Sequence, residues 1–367
     1  MHITVNRSAM AAALAVVQRA VGLKPPLAAL SCVHLKAEGG TLEFTATDLE
    51  LTLRTWVPAE ISEEGRALLP ARVLTDLIRR VPDETVVLSG ADEANHTVFR
   101  YGGNRVVFAG LPPSEFPEAT VAVEGPTLSL NEGALRDALR EVIFAAASTE
   151  ENHPLLSAVC FAVDAGATEI VATDTYRLAW RRLEHHGVQE AGVLLIPLRA
   201  LAELTRLLSP GERTVELVMG AASVTFRHND FLLSSRLLEG QFPNYRTFLP
   251  QSWCTRVRLA VKPFLEALER AALIVGKPPV VRFRLEAEGL LVEAVGETGR
   301  LEERVPLAEM EGEPLEIAFN PNFVADALRA QPEPETVIEF TGPLSAAVFR
   351  PVGKGHYFSL LLPVRLL

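Results

Sequence analysis

The sequence predicts an α+β protein of three similar domains, each with two helices packed against antiparallel sheets. Two pairs of landmarks carry this prediction. The segment ATDLELTLR begins at Ala46 and ATDTYRLAW begins at Ala172. Phe-Pro follows at Phe116 and again at Phe242, with the same spacing as the first pair. Landmarks that recur in register indicate an internal repeat.

A third copy follows from the segments that begin after Pro70, Pro197 and Asn320, each of which opens a helical pattern. The third segment, FNPNFVADALRAQPEPE, is the most diverged. A chain of 367 residues divided by three gives an ordinary domain size. We predict domains at residues 1–122, 127–250 and 251–367, joined by the Pro-rich stretches LPPSEFPEATVAVEGP and GQFPNYRTFLPQSW.

Each copy begins with a predicted helix and contains a second one after several strands. The first helices are predicted at Asn6–Gly22, Asn131–Ala147 and Lys262–Val275. The second helices are predicted at Ala71–Arg80, Leu198–Leu208 and Pro321–Ala330. Segments such as TLEFTATDLELTLRTW and VVRFRLEAEGLLVEAV alternate apolar and polar residues, which is typical of strands. Two helices are too few to cross over every strand pair, so the sheets are predicted to be antiparallel.

Composition excludes several classes of function. The chain has 35 Lys and Arg against 46 Asp and Glu, a formal net charge of −11, which argues against bulk attraction to nucleic acid or anionic membranes. Cys32, Cys160 and Cys254 have neither disulfide nor zinc spacing, and a reducing cytoplasm is the simplest compartment. No apolar run approaches the roughly 20 residues that span a bilayer.

Basic residues nevertheless recur at two places in the second helices. Arg72, Arg199 and Asn322 occupy one place, and Arg79, Arg206 and Arg329 occupy the other, about two turns further on, so five of the six positions are basic. Such residues can be the solvated faces of amphipathic helices. Their agreement across copies favours contact with a phosphate backbone, which is bound without reading sequence. The predicted DNA-facing residues are Lys24, Arg72, Arg79, Arg80, Arg136, Arg140, Arg199, Arg206 and Arg329.

The motifs of nucleotide-binding and hydrolytic enzymes are absent from the sequence. There is no GxGxxG, GxxxxGK[ST], HExxH or GxSxG, so we predict a non-catalytic protein without cofactor or metal. We interpret the adjacent His185 and His186 as exposed residues and not as metal ligands. Asp48 and Asp174 recur beside a threonine, which favours hydrogen bonding at strand ends over catalysis.

The ATD echo, the Phe-Pro corners, NYRTFLP and the ending LLLPVRLL occur in this order and resemble the bacterial DNA polymerase III beta subunit, or sliding clamp. The resemblance spans the chain. It implies a DNA clamp fold and a head-to-tail homodimer that closes as a ring around duplex DNA, with helices inside. It also implies a processivity factor that binds the replicative polymerase alpha subunit, the clamp loader, and other polymerases and repair proteins through linear peptide motifs.

The resemblance further implies a partner-peptide pocket. Matched by motif position, the pocket residues are Leu156, Thr173, Thr175, Tyr176, Arg177, Leu178, Pro243, Thr247, Phe248, Asn320, Phe323, Leu362, Pro363, Val364 and Arg365. The apolar members would bury partner anchors, and the two arginines would orient carbonyl or acidic groups. Thr175 and Tyr176 depart from the Gly-His that is common in the family, Leu362 and Val364 replace common methionines, and Leu367 extends the usual end by one residue. Partner preference is therefore expected to differ.

Three other interpretations stay open from the residues. TYRLAW can be an ordinary strand, and LLLPVRLL can be a terminal edge strand that fills a core. The repeats can form an interaction scaffold that meets an acidic protein and not DNA. An enzyme with a site at a domain junction would require a titratable cluster that the sequence does not present.

Overall fold

A computed structural model describes residues 1–22, 25–90, 95–118, 121–122, 124–148, 154–185, 191–353 and 355–365. It confirms the predicted α+β class, with two helices for each of the three repeats. None of the helices in these ranges has the length and apolar character needed to cross a membrane.

The helices lie where the repeat predicts them. They are α1 (Arg7–Val17), α2 (Ala71–Ile78), α3 (Glu132–Val142), α4 (Leu198–Leu207), α5 (Val261–Ile274) and α6 (Pro321–Ala330). The α-helical parts of α1 and α3 end earlier than predicted, because single 3-10 turns at Gln18–Ala20 and Ile143–Ala145 complete them. Asn6 caps α1, since its Oδ1 accepts a hydrogen bond of 3.0 Å from the backbone N–H of Ala9.

The strands outnumber the helices and pair antiparallel, as predicted. They are β1 (His2–Asn6), β2 (Cys32–Glu38), β3 (Thr41–Thr47), β4 (Leu51–Glu63), β5 (Gly65–Pro70), β6 (Thr85–Gly90), β7 (His96–Tyr101), β8 (Asn104–Ala109), β9 (Thr127–Asn131), β10 (Ala158–Val163), β11 (Ala167–Thr173), β12 (Arg177–Glu184), β13 (Gly192–Pro197), β14 (Thr214–Met219), β15 (Ser223–Arg227), β16 (Phe231–Arg236), β17 (Thr255–Ala260), β18 (Val281–Glu286), β19 (Gly289–Gly296), β20 (Gly299–Val305), β21 (Glu309–Gly312), β22 (Leu315–Phe319), β23 (Glu335–Phe340), β24 (Ala347–Pro351) and β25 (Tyr357–Leu361).

One compact unit comprises Met1–Glu132 and Arg206–Leu237. Its main sheet has the strand order β8-β7-β6-β1-β4-β16-β15-β14-β9, and β2, β3 and β5 branch from it. The long strand β4 makes this possible, because it pairs with β16 near Leu51–Thr55 and with β1 near Ala59–Glu63. Strands from two copies of the repeat therefore share one sheet, which satisfies backbone groups that a free edge would expose.

The other compact unit comprises Gly133–Thr205 and Leu238–Leu367. It has a nine-stranded sheet with the order β13-β10-β11-β12-β25-β24-β23-β17-β21, and a four-stranded sheet with the order β20-β19-β18-β22. Its largest core is rich in phenylalanine, including the fully buried Phe264, Phe283, Phe319 and Phe340. In the nine-stranded sheet β12 pairs directly with β25, so residues of TYRLAW lie beside residues of the C-terminal LLLP.

Candidate functional site: an apolar pocket beside Arg177

A hydrogen-bonded turn joins β11 to β12 and explains the second ATD sequence. The Oγ1 of Thr173 donates to the carbonyl of Arg177 (2.7 Å) and accepts from the N–H of Thr175 (3.2 Å). The Oδ1 of Asp174 accepts from the N–H groups of Tyr176 (3.0 Å) and Arg177 (2.9 Å). Thr175 takes a φ of 78°, a left-handed conformation that a β-branched residue rarely adopts.

The first ATD sequence makes the same turn between β3 and β4. Thr47 Oγ1 donates to the carbonyl of Leu51 and accepts from the N–H of Leu49, whose φ is 80°. Asp48 Oδ1 accepts from the N–H groups of Glu50 and Leu51. The prediction that the repeated aspartates hold strand ends is confirmed.

Beside the second turn lies an open cavity of about 330 Å³ with a mainly apolar lining. Its lining residues are Leu156, Thr173, Thr175, Arg177, Leu178, Pro243, Phe248, Ala346, Leu360 and Leu362. Most of these were predicted for the partner-peptide pocket. Leu360 was missed, although the period of two along a strand puts it on the same side as Leu362. Ala346 was also missed, and no sequence signal marks it.

The floor and the rim of this cavity differ in exposure. Leu178 and Leu360, which face each other in the β12–β25 ladder, are each almost fully buried and form part of the floor. Phe248 is 59% exposed and Leu362 is 43% exposed, and both stand at the rim. Large apolar side chains held in water beside an apolar concavity are typical of a site that buries them against a ligand.

Arg177 forms one wall of the cavity. Its Nε donates to Asp174 Oδ2 at 2.9 Å and its Nη1 donates to Asp326 Oδ2 at 2.7 Å. Its guanidinium carbon lies 4.5 Å from the ring centre of Phe323 and 5.5 Å from that of Phe144. With two carboxylates and two rings around it, the side chain is only 13% exposed.

The segment 240–250 supplies Pro243 and Phe248, and Tyr245 holds it against the sheet. The buried Tyr245 donates its hydroxyl to Glu169 on β11, and Arg246 Nη2 contacts the same carboxylate at 2.9 Å. Burial and then the hydrogen bond to Glu169 raise the pKa of Tyr245, so it stays a neutral donor. This contact positions the rim from an irregular segment of chain.

The other predicted pocket residues lie around the cavity lining. Tyr176 is 62% exposed, and its ring is 6.4 Å from that of Phe323. Asn320 caps α6 and accepts a hydrogen bond from the N–H of Asn322. Val364 donates its N–H to Ala318 at 2.8 Å, and Thr247 donates its hydroxyl to Asn244. Pro363 and Arg365 follow the end of β25.

Leu360 and Leu361, which begin the ending LLLPVRLL, belong to an interior strand and not to an edge strand. β25 pairs with β12 on one side and with β24 on the other, which corrects the edge-strand interpretation. The strand ends at Leu361, two residues before Pro363, and Arg365 is exposed. Strand and rim therefore come from the same short sequence.

The predicted DNA-facing residues lie on or directly after helices, with Lys24 outside the described residues. Arg72, Arg79, Arg80, Arg140, Arg199, Arg206 and Arg329 are exposed, whereas Arg136 is partly buried and contacts Asp137 at 3.3 Å. Arg79 lies just past the end of α2. The pair in α4 keeps the predicted spacing of about two turns, so Arg199 and Arg206 share a helix face.

His185 corrects the interpretation that it is exposed. It is 6% exposed, and its Nε2 lies 3.0 Å from Thr168 Oγ1. His186 lies outside the described residues. Within the described ranges no group of three or more His, Cys, Asp or Glu side chains could hold a metal ion.

Three family models match consecutive parts of the chain. They describe the N-terminal, central and C-terminal domains of the DNA polymerase III beta subunit and match residues 1–120, 129–244 and 246–365. A beta sliding clamp from Synechococcus elongatus is 32% identical over 377 residues, which cover 100% of both chains.

Solved structures are similar over the same length. The DNA polymerase sliding clamp from Bacillus subtilis gives a TM-score of 0.95 at 26% identity and covers 100% of both chains. A sliding clamp from Pseudomonas aeruginosa bound to griselimycin gives 0.94 at 27% identity, again with 100% of both chains covered.

Proposed function

This chain belongs to the DNA polymerase III beta subunit family, and from that premise we propose that it is a sliding clamp. In this role a ring-shaped homodimer encircles duplex DNA and confers processivity on the replicative polymerase. The chain is then a non-catalytic subunit that works in the cytoplasm, where bacterial chromosomal DNA lies. A ring retains DNA by topology, so each protein–DNA contact can stay weak while the clamp slides.

The apolar cavity beside Arg177 carries the second part of the proposal, which is recruitment of partners. Its floor is buried and apolar, and its rim holds Phe248 and Leu362 in water. We assign it as the site for linear peptides from the polymerase alpha subunit, the clamp loader, other polymerases and repair proteins. Each apolar anchor that a partner buries there would contribute about 1.5–3 kcal/mol. The hydrogen bonds of the Thr173–Arg177 turn hold the backbone of one wall in place.

The arginines of the helices support the DNA part of the proposal. They recur in corresponding places of repeated helices although the chain is acidic overall. Such cations would contact phosphates without reading bases, as sliding requires. The three domains of this proposal are residues 1–122, 127–250 and 251–367, close to the residues that the family models match.

Two sheet edges support a head-to-tail dimer. β8 ends the strand order of one unit, and β20 ends that of the four-stranded sheet in the other. Near the end of α5, Leu273 is 81% exposed. Different surfaces on one subunit make a heterologous interface, and two such interfaces related by a half-turn close a ring.

Small-angle X-ray scattering of the full chain tests this proposal without any partner. A particle of about twice the 39.9 kDa chain mass with the distance distribution of a hollow ring is the expected result. A compact monomer at every practical concentration would remove the topological mechanism and contradict the clamp assignment.

A further inference from the structure

Arg177 lines the apolar pocket and contacts residues that line a second cavity. Besides the apolar pocket, its guanidinium contacts Phe144 and Asp326, and these two residues also line a second cavity of about 400 Å³ between α3 and α6. We call this second cavity the α3–α6 groove. Arg140 and Arg329, both predicted to face DNA, line the same groove.

The carboxylate of Asp326 contacts one arginine of each cavity. Its Oδ2 lies 2.7 Å from Arg177 Nη1, and its Oδ1 lies 3.5 Å from Arg329 Nη1. Arg329 also forms a second ion pair, in which its Nη2 contacts Glu269 at 2.7 Å. Arg177 is 13% exposed, whereas Arg329 is 50% exposed. A soluble anion therefore reaches Arg329 more readily than Arg177.

We propose that Asp326 couples the peptide pocket to phosphates bound in the α3–α6 groove, which rests on the proposed function of both surfaces. A DNA phosphate that binds Arg329 replaces Asp326 and Glu269 as its anionic partner. Asp326 then has one cation instead of two. It holds Arg177 more firmly against the Phe323 ring, and the pocket wall is ordered before a partner binds.

The sign of the coupling follows from this order of events. A pocket whose wall is already ordered loses less conformational freedom on binding, so DNA in the groove strengthens peptide binding. By linkage, a ligand in the pocket strengthens DNA binding by the same factor. Arg329 is half-exposed, so solvent screens its ion pair with Asp326 and keeps the coupling small. We expect the affinity for the peptide pocket to change by a factor of about two to five.

The test measures the affinity of griselimycin for the full-length protein by calorimetry, with and without a saturating short duplex DNA at one fixed salt concentration. Wild-type protein should bind griselimycin about two- to fivefold more tightly with DNA present. Arg329→Gln removes the competing cation, so it should show the tighter affinity without DNA and gain nothing from DNA. Asp326→Asn should bind more weakly than wild type and also lose the response to DNA.

Arg270→Gln is the matched control. Arg270 is likewise 50% exposed and ion-paired, on α5 to Glu303, and its removal should leave the DNA response at the wild-type factor. Equal wild-type affinity with and without DNA would overturn the coupling, and so would Arg329→Gln behaving like Arg270→Gln. Failure of wild-type protein to bind griselimycin at all would overturn the pocket assignment itself.

Discussion

Arg177 and Asp326 are joined by a hydrogen bond of 2.7 Å, although they lie in different copies of the sequence repeat. The contact places a positive charge in the wall of an apolar pocket and neutralises it there, together with Asp174. Because the charge is compensated within the protein, the pocket can take apolar partner side chains beside an arginine. Several predictions depend on this arrangement and on the turn that supports it.

Arg177→Ala should weaken partner binding without changing assembly. The change removes the wall that stacks on Phe323 and leaves two carboxylates beside the pocket, so peptide affinity should fall by about 1–3 kcal/mol. Fluorescence anisotropy with a synthetic peptide carrying the clamp-binding motif of the polymerase alpha subunit measures this. Arg182→Ala, an exposed arginine on the same strand, is the control. Unchanged peptide affinity in Arg177→Ala would contradict the pocket assignment.

Phe248→Ala and Leu178→Ala should separate binding from folding. Phe248 is 59% exposed, so its truncation should change the free energy of unfolding little but lower peptide affinity by about 1.5–3 kcal/mol. Leu178 is 3% exposed, and its truncation leaves a cavity that should cost about 2–5 kcal/mol of stability. Urea unfolding and peptide anisotropy on both variants check this. A large loss of stability in Phe248→Ala would show that Phe248 stabilises the hydrophobic core, contrary to its assignment to the rim of the pocket.

Thr175→Gly should stabilise the protein. The left-handed φ of 78° destabilises a β-branched residue by about 1–2 kcal/mol, and glycine would remove this strain. Part of the stabilisation is offset because glycine gives the unfolded chain more conformational entropy. The free energy of unfolding should rise by about 0.5–1 kcal/mol. Leu49→Gly, at the matching φ of 80° in the first turn, should act in the same direction. Thermal unfolding would contradict this if both variants melted below wild type.

Stability should fall on the acid side because of His34. Burial, together with Arg66, Arg54 and Lys36, lowers the pKa of His34 from 6.5 to about 4. Between about pH 6.5 and 4, the imidazole of His34 is protonated in the unfolded chain but not in the folded chain. The free energy of unfolding therefore falls as the pH drops from about 6.5 towards 4. Above that window the contribution is complete.

His34→Gln should flatten this pH dependence. Urea unfolding at a series of pH values compares it with wild type and with His356→Gln, a change at an exposed histidine. The stacking of His34 on Phe116, with ring centres 5.2 Å apart, is lost in the variant, so its stability near pH 7 should also be lower. An unchanged slope between pH 6.5 and 4 would show that other groups dominate the titration.

Charge reversal of Arg79, Arg206 and Arg329 to Glu should weaken duplex binding and its dependence on salt. Affinity falls as salt rises, and each lost phosphate contact makes the slope of log affinity against log salt less steep by about 0.9. Reversal of Arg66, Arg236 and Arg282, which lie on strands, makes an equal change of net charge and serves as the control. Equal losses in both triple variants would indicate that only net charge matters, contrary to specific contacts by the helices.

The sequence by itself determined the repeat, the helices and the turns. The ATD pairs predicted the hydrogen bonds of Asp48 and Asp174, because an aspartate in a turn accepts from N–H groups two and three residues further on, which is a local relationship. Helix positions followed from the period of apolar residues, which is also local. Resemblance to a family supplied the pocket residues, and most residues that line the cavity were among them.

Only the tertiary structure decided how the copies combine. Nearly every residue carries the same backbone donor and acceptor, whatever its side chain. The sequence therefore does not indicate that β4 pairs with β16 or that β12 pairs with β25. The contact of Arg177 with Asp326 depends on that pairing, as does the place of Ala346 in the pocket lining. The burial of His185 likewise depends on where its segment lies in the fold, and the neighbouring residues in the sequence do not indicate this.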